Sequence, residues 1–435
     1  MKHRIGLRYE DKYAMERRVA LVPQHVQQLI DKGIEIEVVK SEKRIFKDSE
    51  YAHAGAKLVD KIAQHGIVLG VKEMPVGYFQ NQATYLFFSH TIKGQEYNMP
   101  LLRNMMESKI NLIDYERVTD EKGRRLIFFG RFAGLAGMIN SLWSAGKRWK
   151  EFGIQTPFLK LKQTHHYQSL EEAKEVINGV AMEIQLKGLL AEIQPLVVGF
   201  TGYGNVSKGA QEIIDILPTT EISPQELLDF STQGFPDNSR IYKVVFKESD
   251  LSTPIDSSKA FDLQEYYNHP ERFESQFEKY IPHLTILMNC MYWDNRYPII
   301  VTKDYLEKLY EDGNPKLLVI GDVTCDPDGS IECTFKGTEI EDPVFVYNPK
   351  THKSIMGFKG DGLLIMAVDI LPSELPREAS QTFSDALLDF IPVLAVADFD
   401  VPFEQLSIPA PLKRAMILHQ GRLTPDYQYL EQYIG

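Results

Sequence analysis

Short apolar runs separated by helical patterns organise the first third of the chain. Residues 5–8, 34–39, 67–71, 84–88, 110–113 and 126–129 read as strands, and 23–31 and 95–108 as helices. Such alternation predicts a mostly parallel sheet with both faces covered, an α/β fold. Helical patterns follow at 131–153, where Gly134, Ala136 and Gly137 leave one face small, and at 171–193. Then LVVGFTGYGNVSKGAQEIIDIL (196–217) passes from an apolar strand through Gly199, Gly202 and Gly204 into a helix stopped by Pro218. Strand, glycine turn and helix in that order make a phosphate cradle. Glycines let the backbone approach a pyrophosphate, and the helix N-terminus offers N–H groups. Ser207 stands where G-x-G-x-x-G would place its third glycine, so an ordinary tight βα turn stays open beside a dinucleotide site.

The pattern from 219 to about 298 is irregular and reads as an insertion in a second domain. Strands resume at 317–320 and 363–368, a helix opens at Leu375-Pro-Arg-Glu-Ala, and a tail rich in Pro and Tyr closes the chain.

At 435 residues, two or three domains are expected. The formal charge of -12 argues against a general nucleic-acid binder, which needs basic surface to neutralise phosphates. Three cysteines (Cys290, Cys325, Cys333) without a C-x-x-C pair suggest reduced thiols and a cytoplasmic setting. The N-terminal residues lack a secretory apolar segment, and no run approaches membrane-spanning length. Asp326-Pro-Asp328-Gly329 reads as a turn rather than a metal loop, and no metal site is predicted.

Polar residues gather after the predicted strands. Lys72-Glu73 follows the third, Ser89-His90 the fourth, and Asp114-Tyr115-Glu116 the fifth. Open α/β sheets bind ligands beyond the carboxyl ends of their strands, so these residues suggest an acid–base site. Any one alone would be an ordinary surface or loop group. Glu16-Arg17-Arg18 and Gly123-Arg124-Arg125 lie near the same region, and arginine forks suit carboxylates. Solvated turn charge is the plainer reading of these arginines, and a dicarboxylic substrate the sharper one.

Ordered segments carry a resemblance: ERRVALVPQHV, VLGVKEMP, TYLFFSHTIKGQEYNMPLL, LIDYE, GRRL, GRFAGLAGMI, TPFL, FTGYGNVSKGAQEI, HPERF and LPREAS. The chain resembles the lysine-forming saccharopine dehydrogenases, and within them the lysine–ketoglutarate reductase domain of aminoadipic semialdehyde synthase. The resemblance implies two Rossmann-like domains with mostly parallel sheets, the second inserted into the first and the active site in the cleft between them. Residues 1–133 with 374–435 would form the substrate domain and 134–373 the dinucleotide-binding domain. The implied reaction condenses L-lysine with 2-oxoglutarate and reduces the imine to saccharopine, reversibly.

Position by position, Lys72 and His90 match the family's acid–base pair. Glu16, Arg18, Glu116 and Arg125 match positions that hold the substrates' charged groups. Gly202, Tyr203, Gly204, Asn205, Val206 and Ser207 match the dinucleotide turn, Tyr203 standing where relatives often carry threonine. Asp322 matches a strand end near the nicotinamide side. About twenty residues after the glycines, Thr219-Thr220-Glu221-Ile222 offers no unambiguous ribose acid or arginine. Resemblance to the reductase domain favours NADP(H), with NAD(H) the alternative from the fungal single-function enzymes. The synthase's saccharopine-oxidising domain has no counterpart in the sequence, so the expectation is saccharopine formation or its reversal without onward degradation. An alanine-dehydrogenase-like or opine-forming reductase, and a catalytically silent dinucleotide-binding regulator, are the rival readings.

Overall fold

The computed structural model describes residues 4–434 except 64–65, 238, 312 and 314. The chain divides into two compact units, Met1–Phe129 with Pro376–Gly435, and Gly130–Leu375.

In the first unit, β1 (Ile5–Leu7), β2 (Ile36–Val39), β3 (Lys57–Val59), β4 (Ile67–Leu69), β5 (Thr84–Phe87) and β6 (Asn111–Asp114) form a parallel sheet. Met416–His419 adds antiparallel to β6 and Arg422–Leu423 completes eight strands, in the order 422–423, 416–419, β6-β5-β4-β1-β2-β3. Every residue of β1, β2, β4, β5 and β6 is buried, which is why they read as continuous apolar runs rather than alternating ones. Helix α1 (Pro23–Asp31) starts on proline, whose fixed φ suits the first turn, and buries Val26 and Leu29 on one face. Helices α2 (Asp48–His53) and α3 (Met99–Glu107) follow, the latter burying Met99, Leu102 and Met105. β3 went unread because it is an edge strand with exposed or half-buried side chains. The strand expected at 126–129 does not form. Ile127 is buried and Phe129 stacks on Phe383 at 4.7 Å, so this apolar run packs into a core rather than pairing in a sheet.

In the second unit, α4 (Gly130–Glu151) and α5 (Leu170–Lys187) precede β7 (Leu196–Thr201) and α6 (Asn205–Ile214). α5 stops at Gly188, with φ +73°, short of the expected 193. β8 (Thr219–Ile222), α7 (Pro224–Gln233), β9 (Ile241–Phe246), α8 (Glu248–Leu251), β10 (Ser252–Pro254), α9 (Leu263–Asn268), β11 (Phe273–Ser275) and β12 (Ile286–Asn289) come next. β13 (Val319–Asp322), β14 (Val344–Asn348), β15 (Lys353–Met356) and β16 (Leu363–Met366) complete the set. The sheet order is β15-β14-β16-β13-β12-β7-β9-β8, with β14 antiparallel to its neighbours and the remaining pairs parallel.

The stretch 219–298 is therefore not an irregular insertion as a whole, because β8, β9 and β12 belong to the main sheet. β8 is a largely unburied edge, and β9 is interrupted by Lys243. That ammonium is buried and neutralised by Asp215 at 2.8 Å and Glu221 at 2.9 Å, so a lysine sits inside a sheet strand. The irregular part lies between β9 and β12, around the two-stranded β10–β11 pair.

α4 and α6 meet backbone to backbone. A Cβ at Gly134 would strike the Val206 carbonyl, and one at Gly209 would strike the Arg131 carbonyl. Gly209 and Gly134 thus let the backbones of α6 and α4 come together. Among the described residues no helix is long and apolar enough to cross a membrane.

Candidate functional site

In each unit the chain order reverses beside one strand, β1 in the first and β7 in the second, and loops leave the carboxyl ends there. Such switch points open a crevice.

In the first unit, the loop after β1 sends Glu10 under the loop after β4. The buried Glu10 carboxylate accepts the N–H groups of Val71 and Lys72, both at 2.8 Å. Burial pushes this carboxyl up to about 7, against the opposing pull of Arg8. Glu10 thereby fixes the backbone of Lys72, whose ammonium lies 6.0 Å from the Tyr13 ring centre. Glu10 was not singled out from sequence for this role.

His90 follows β5 in the left-handed region, φ +52°. Its Nδ1 lies 2.6 Å from Glu73 Oε1, its ring stacks on Phe88, and its carbonyl accepts from Asn98 at 2.8 Å. Lys12 donates to the same Glu73 oxygen at 2.6 Å. Burial pushes Glu73 up, but hydrogen bonds and charge from His90 and Lys12 outweigh it and hold the carboxyl down at about 2. The structure thus ties His90 to an acid one residue from Lys72. Asp114, buried at the end of β6, accepts from Ser89 N–H at 3.0 Å and from Glu116 N–H at 2.8 Å, which joins the β5 and β6 loops. Burial pushes its carboxyl up.

The four charged residues expected to hold substrate are already two ion pairs. Arg18 donates Nε at 2.8 Å and Nη2 at 2.5 Å to the two oxygens of Glu16, both residues buried, with the guanidinium 4.2 Å from the Phe129 ring centre. Arg125 pairs with Glu116 and is half-exposed. A fork that spends Nε and Nη2 on one acid keeps Nη1 for another acceptor.

In the second unit, Gly202 has φ +77°, and its N–H donates to the Phe246 carbonyl at 2.9 Å. A Cβ there would come within 3.3 Å of the Met291 backbone. Gly204 precedes α6, no side chain caps that helix, and a Cβ at Gly204 would meet open space. Asn205, Val206 and Ser207 form the first turn of α6, Ser207 buried with its Oγ accepting from Gln211 at 2.9 Å. An open turn before uncapped N–H groups fits the pyrophosphate of a dinucleotide. Tyr203 projects from the same turn and donates to Glu248 at 3.4 Å.

Asp322 ends β13, buried and saturated: Oδ1 accepts from Asn289 at 2.8 Å and Thr324 at 2.7 Å, and Oδ2 from Thr334 at 2.7 Å. Burial pushes its carboxyl up, against these bonds. Asn289 also accepts from Thr201 at 2.8 Å, so one polar network ties the ends of β7, β12 and β13. Asp322 holds that floor in shape rather than offering an unclaimed oxygen.

A family model, alanine dehydrogenase/PNT N-terminal domain, matches residues 6–136. Alpha-aminoadipic semialdehyde synthase of Arabidopsis thaliana is 39% identical over 442 residues, covering 98% of this chain and 41% of that protein. The NAD(+), L-lysine-forming saccharopine dehydrogenase of Emericella nidulans is 27% identical over 402 residues, covering 89% of this chain and 90% of its own. The chain is thus similar, along most of its length, to proteins named alpha-aminoadipic semialdehyde synthase and L-lysine-forming saccharopine dehydrogenase. It spans less than half the length of the synthase it matches. The fold is similar to that of an L-alanine dehydrogenase structure, with a TM-score of 0.64 at 18% identity over 99% of this chain and 100% of that one. The match to the synthase, over nearly the whole chain, takes in both strand-end clusters described above.

Proposed function

We propose that the protein is a saccharopine dehydrogenase working in the lysine-forming class, joining L-lysine and 2-oxoglutarate to saccharopine with a reduced nicotinamide dinucleotide. The match to the synthase along 98% of the chain carries this reading, and the cluster at the carboxyl ends of β4, β5 and β6 supports it. Lys72 and His90 are the proposed acid–base pair. Imine formation takes protons from the amine and returns one to the departing carbinolamine oxygen, work for groups poised to gain and lose protons. Glu73 binds His90 Nδ1, so Nε2 is the nitrogen that exchanges the proton. Glu10 fixes the Lys72 backbone and keeps its side chain in reach. Arg18 and Arg125, steered by Glu16 and Glu116, are the proposed partners of substrate carboxylates.

The dinucleotide, when bound, supplies hydride chemistry to the imine carbon. Gly202, Gly204 and the first turn of α6, Asn205 to Ser207, receive its pyrophosphate, Tyr203 flanks it, and Asp322 shapes the floor beside the nicotinamide. NADP(H), from resemblance to the reductase domain, and NAD(H), named for the fungal relative, differ only at the adenosine ribose. The proposed setting is a reducing one, the cytoplasm, consistent with three unpaired cysteines.

The test is loss of reduced-nicotinamide absorbance with lysine and 2-oxoglutarate together, followed by identification of the product. Oxidation needing both substrates and yielding saccharopine supports the reading. Faster turnover with alanine and pyruvate, or with another amine and keto-acid pair, overturns it.

A further inference from the structure

We propose that the second unit holds a binding site for a small monocarboxylate with an apolar or aromatic body, seated at the amino ends of its strands against Lys316 and Arg148. A cavity of about 370 Å³ opens there, reached by Pro195 just before β7, Thr285 just before β12 and Leu317 just before β13. That volume falls within the range of small-molecule sites, about 300–1,000 Å³. Trp149 near the end of α4, Phe152 beyond it, and Tyr310 give the cavity aromatic walls. The glycine turn leaves the opposite, carboxyl end of β7, so this cavity is separate from the proposed dinucleotide site.

What singles this cavity out is missing counter-charge. Among the described residues, five arginines and lysines are buried, and Arg8, Arg18, Arg44 and Lys243 each have a carboxylate partner. Arg148 pairs with carbonyls instead. Its Nη1 donates to Phe358 at 2.6 Å, and its Nη2 to Gly360 at 2.7 Å and Gly362 at 2.9 Å. These bonds fix the guanidinium but leave its charge uncancelled. Lys316 is half-buried, with its ammonium 5.5 Å from the Phe235 ring centre. Burial pulls that ammonium down to about 8, and among the described residues no carboxylate raises it back. In a chain of net charge -12, two cations without a counter-ion at one cavity mark the place of an anion. Arg148 supplies fixed charge, and Lys316 supplies the N–H donors. Glu192 and Asp361 line the same cavity, both exposed, so a second negative charge on the ligand meets repulsion. One carboxylate on an apolar body therefore fits, with the body on the aromatic walls.

The test is calorimetric titration of the full chain with hydrocinnamate, with the neutral hydrocinnamyl alcohol and the dianion glutarate for comparison. Wild type is expected to bind hydrocinnamate at least about tenfold more tightly than the alcohol, the usual worth of a hydrogen bond to a charged group. Lys316→Met should bring hydrocinnamate down to the level of the alcohol. The same variant should melt no lower than wild type, because it takes an unpaired cation out of a buried place. Lys316→Arg should keep the preference. Glutarate affinity should be the same in wild type and Lys316→Met, since this cavity turns the dianion away. Wild type that takes hydrocinnamate no better than the alcohol, or not at all at millimolar concentration, overturns the proposal. So does a preference that persists in Lys316→Met, which would place the carboxylate elsewhere, on the arginines of the first unit. Glutarate binding lost together with hydrocinnamate in Lys316→Met overturns the choice of a monoanion. If Lys316→Met does not fold, the same comparison in Lys316→Gln decides.

Discussion

A histidine whose Nδ1 is tied to a carboxylate has one ring nitrogen left for chemistry, and His90 is in that position. His90→Ala should lower turnover by about 10²–10⁴-fold, the usual worth of a positioned general acid–base group. Dinucleotide affinity, measured by fluorescence titration, should stay put, because the glycine turn belongs to the other unit. Equal turnover in the variant would remove His90 from the mechanism. Glu73 gives a pH-dependent counterpart. Its carboxyl is held at about 2, below the usual range, so its contribution to stability is full above about pH 4.5 and drains as pH falls towards 2. Glu73→Gln should melt several degrees below wild type at pH 7, and the gap should narrow below about pH 4.5 and nearly close only as pH approaches 2. A constant gap across that range would show that the carboxylate charge is not what stabilises. Lys72 and His90 were legible in the sequence because both follow apolar strands at carboxyl ends. Glu10 was not, since its part comes from which loop lies beside it in space. The pairing of Glu16 with Arg18 was likewise hidden, although they are neighbours in sequence, because only the folded geometry turns adjacent charges into a bidentate pair.

At the scale of elements, the crossing of α4 and α6 sets where the glycine turn stands. Gly209→Ala would drive a methyl group into the Arg131 carbonyl, which is backbone and has no rotamer to yield. The expected cost is about 1–3 kcal/mol or more, as for overpacked cores, read as a lowered melting temperature. Because Ser207 is only two residues away on the same helix, nucleotide affinity should fall as well. Gly179→Ala in α5 is the control. Nothing lies within 4 Å of its Cβ, so the exposed helix should gain about 0.5–1 kcal/mol. If both substitutions destabilise alike, steric approach of the helices is not the reason. Elements with strong apolar periodicity, such as α1 and β7, were readable from the chain. β8 and β3 are unburied edges whose composition does not announce a strand. The 126–129 run announced a strand that its side chains spend on an aromatic cluster instead.

At the scale of the whole molecule, one unit is continuous in sequence and the other is not. Gly130–Leu375 carries its own eight-stranded sheet and a core that includes Val244, Phe277, Leu287 and Ile365. Residues 130–375 alone should therefore fold cooperatively and bind dinucleotide, seen as a single melting transition raised by added NADH. Residues 1–129 should fail alone, for two reasons. β6 would lose its antiparallel partner Met416–His419 and expose a hydrophobic edge. The core would also lose Phe383, which packs on Phe88, Tyr115 and Phe129. Joining 1–129 to 376–435 through a glycine–serine linker should restore folding, since Phe129 and Phe383 stack at 4.7 Å and Pro376 begins the helix that carries Phe383, about two turns away. A soluble, cooperatively melting 1–129 fragment would show that the C-terminal segment decorates this unit. Failure of the linked form, with 130–375 folding normally, would show that the first unit needs the second in order to fold.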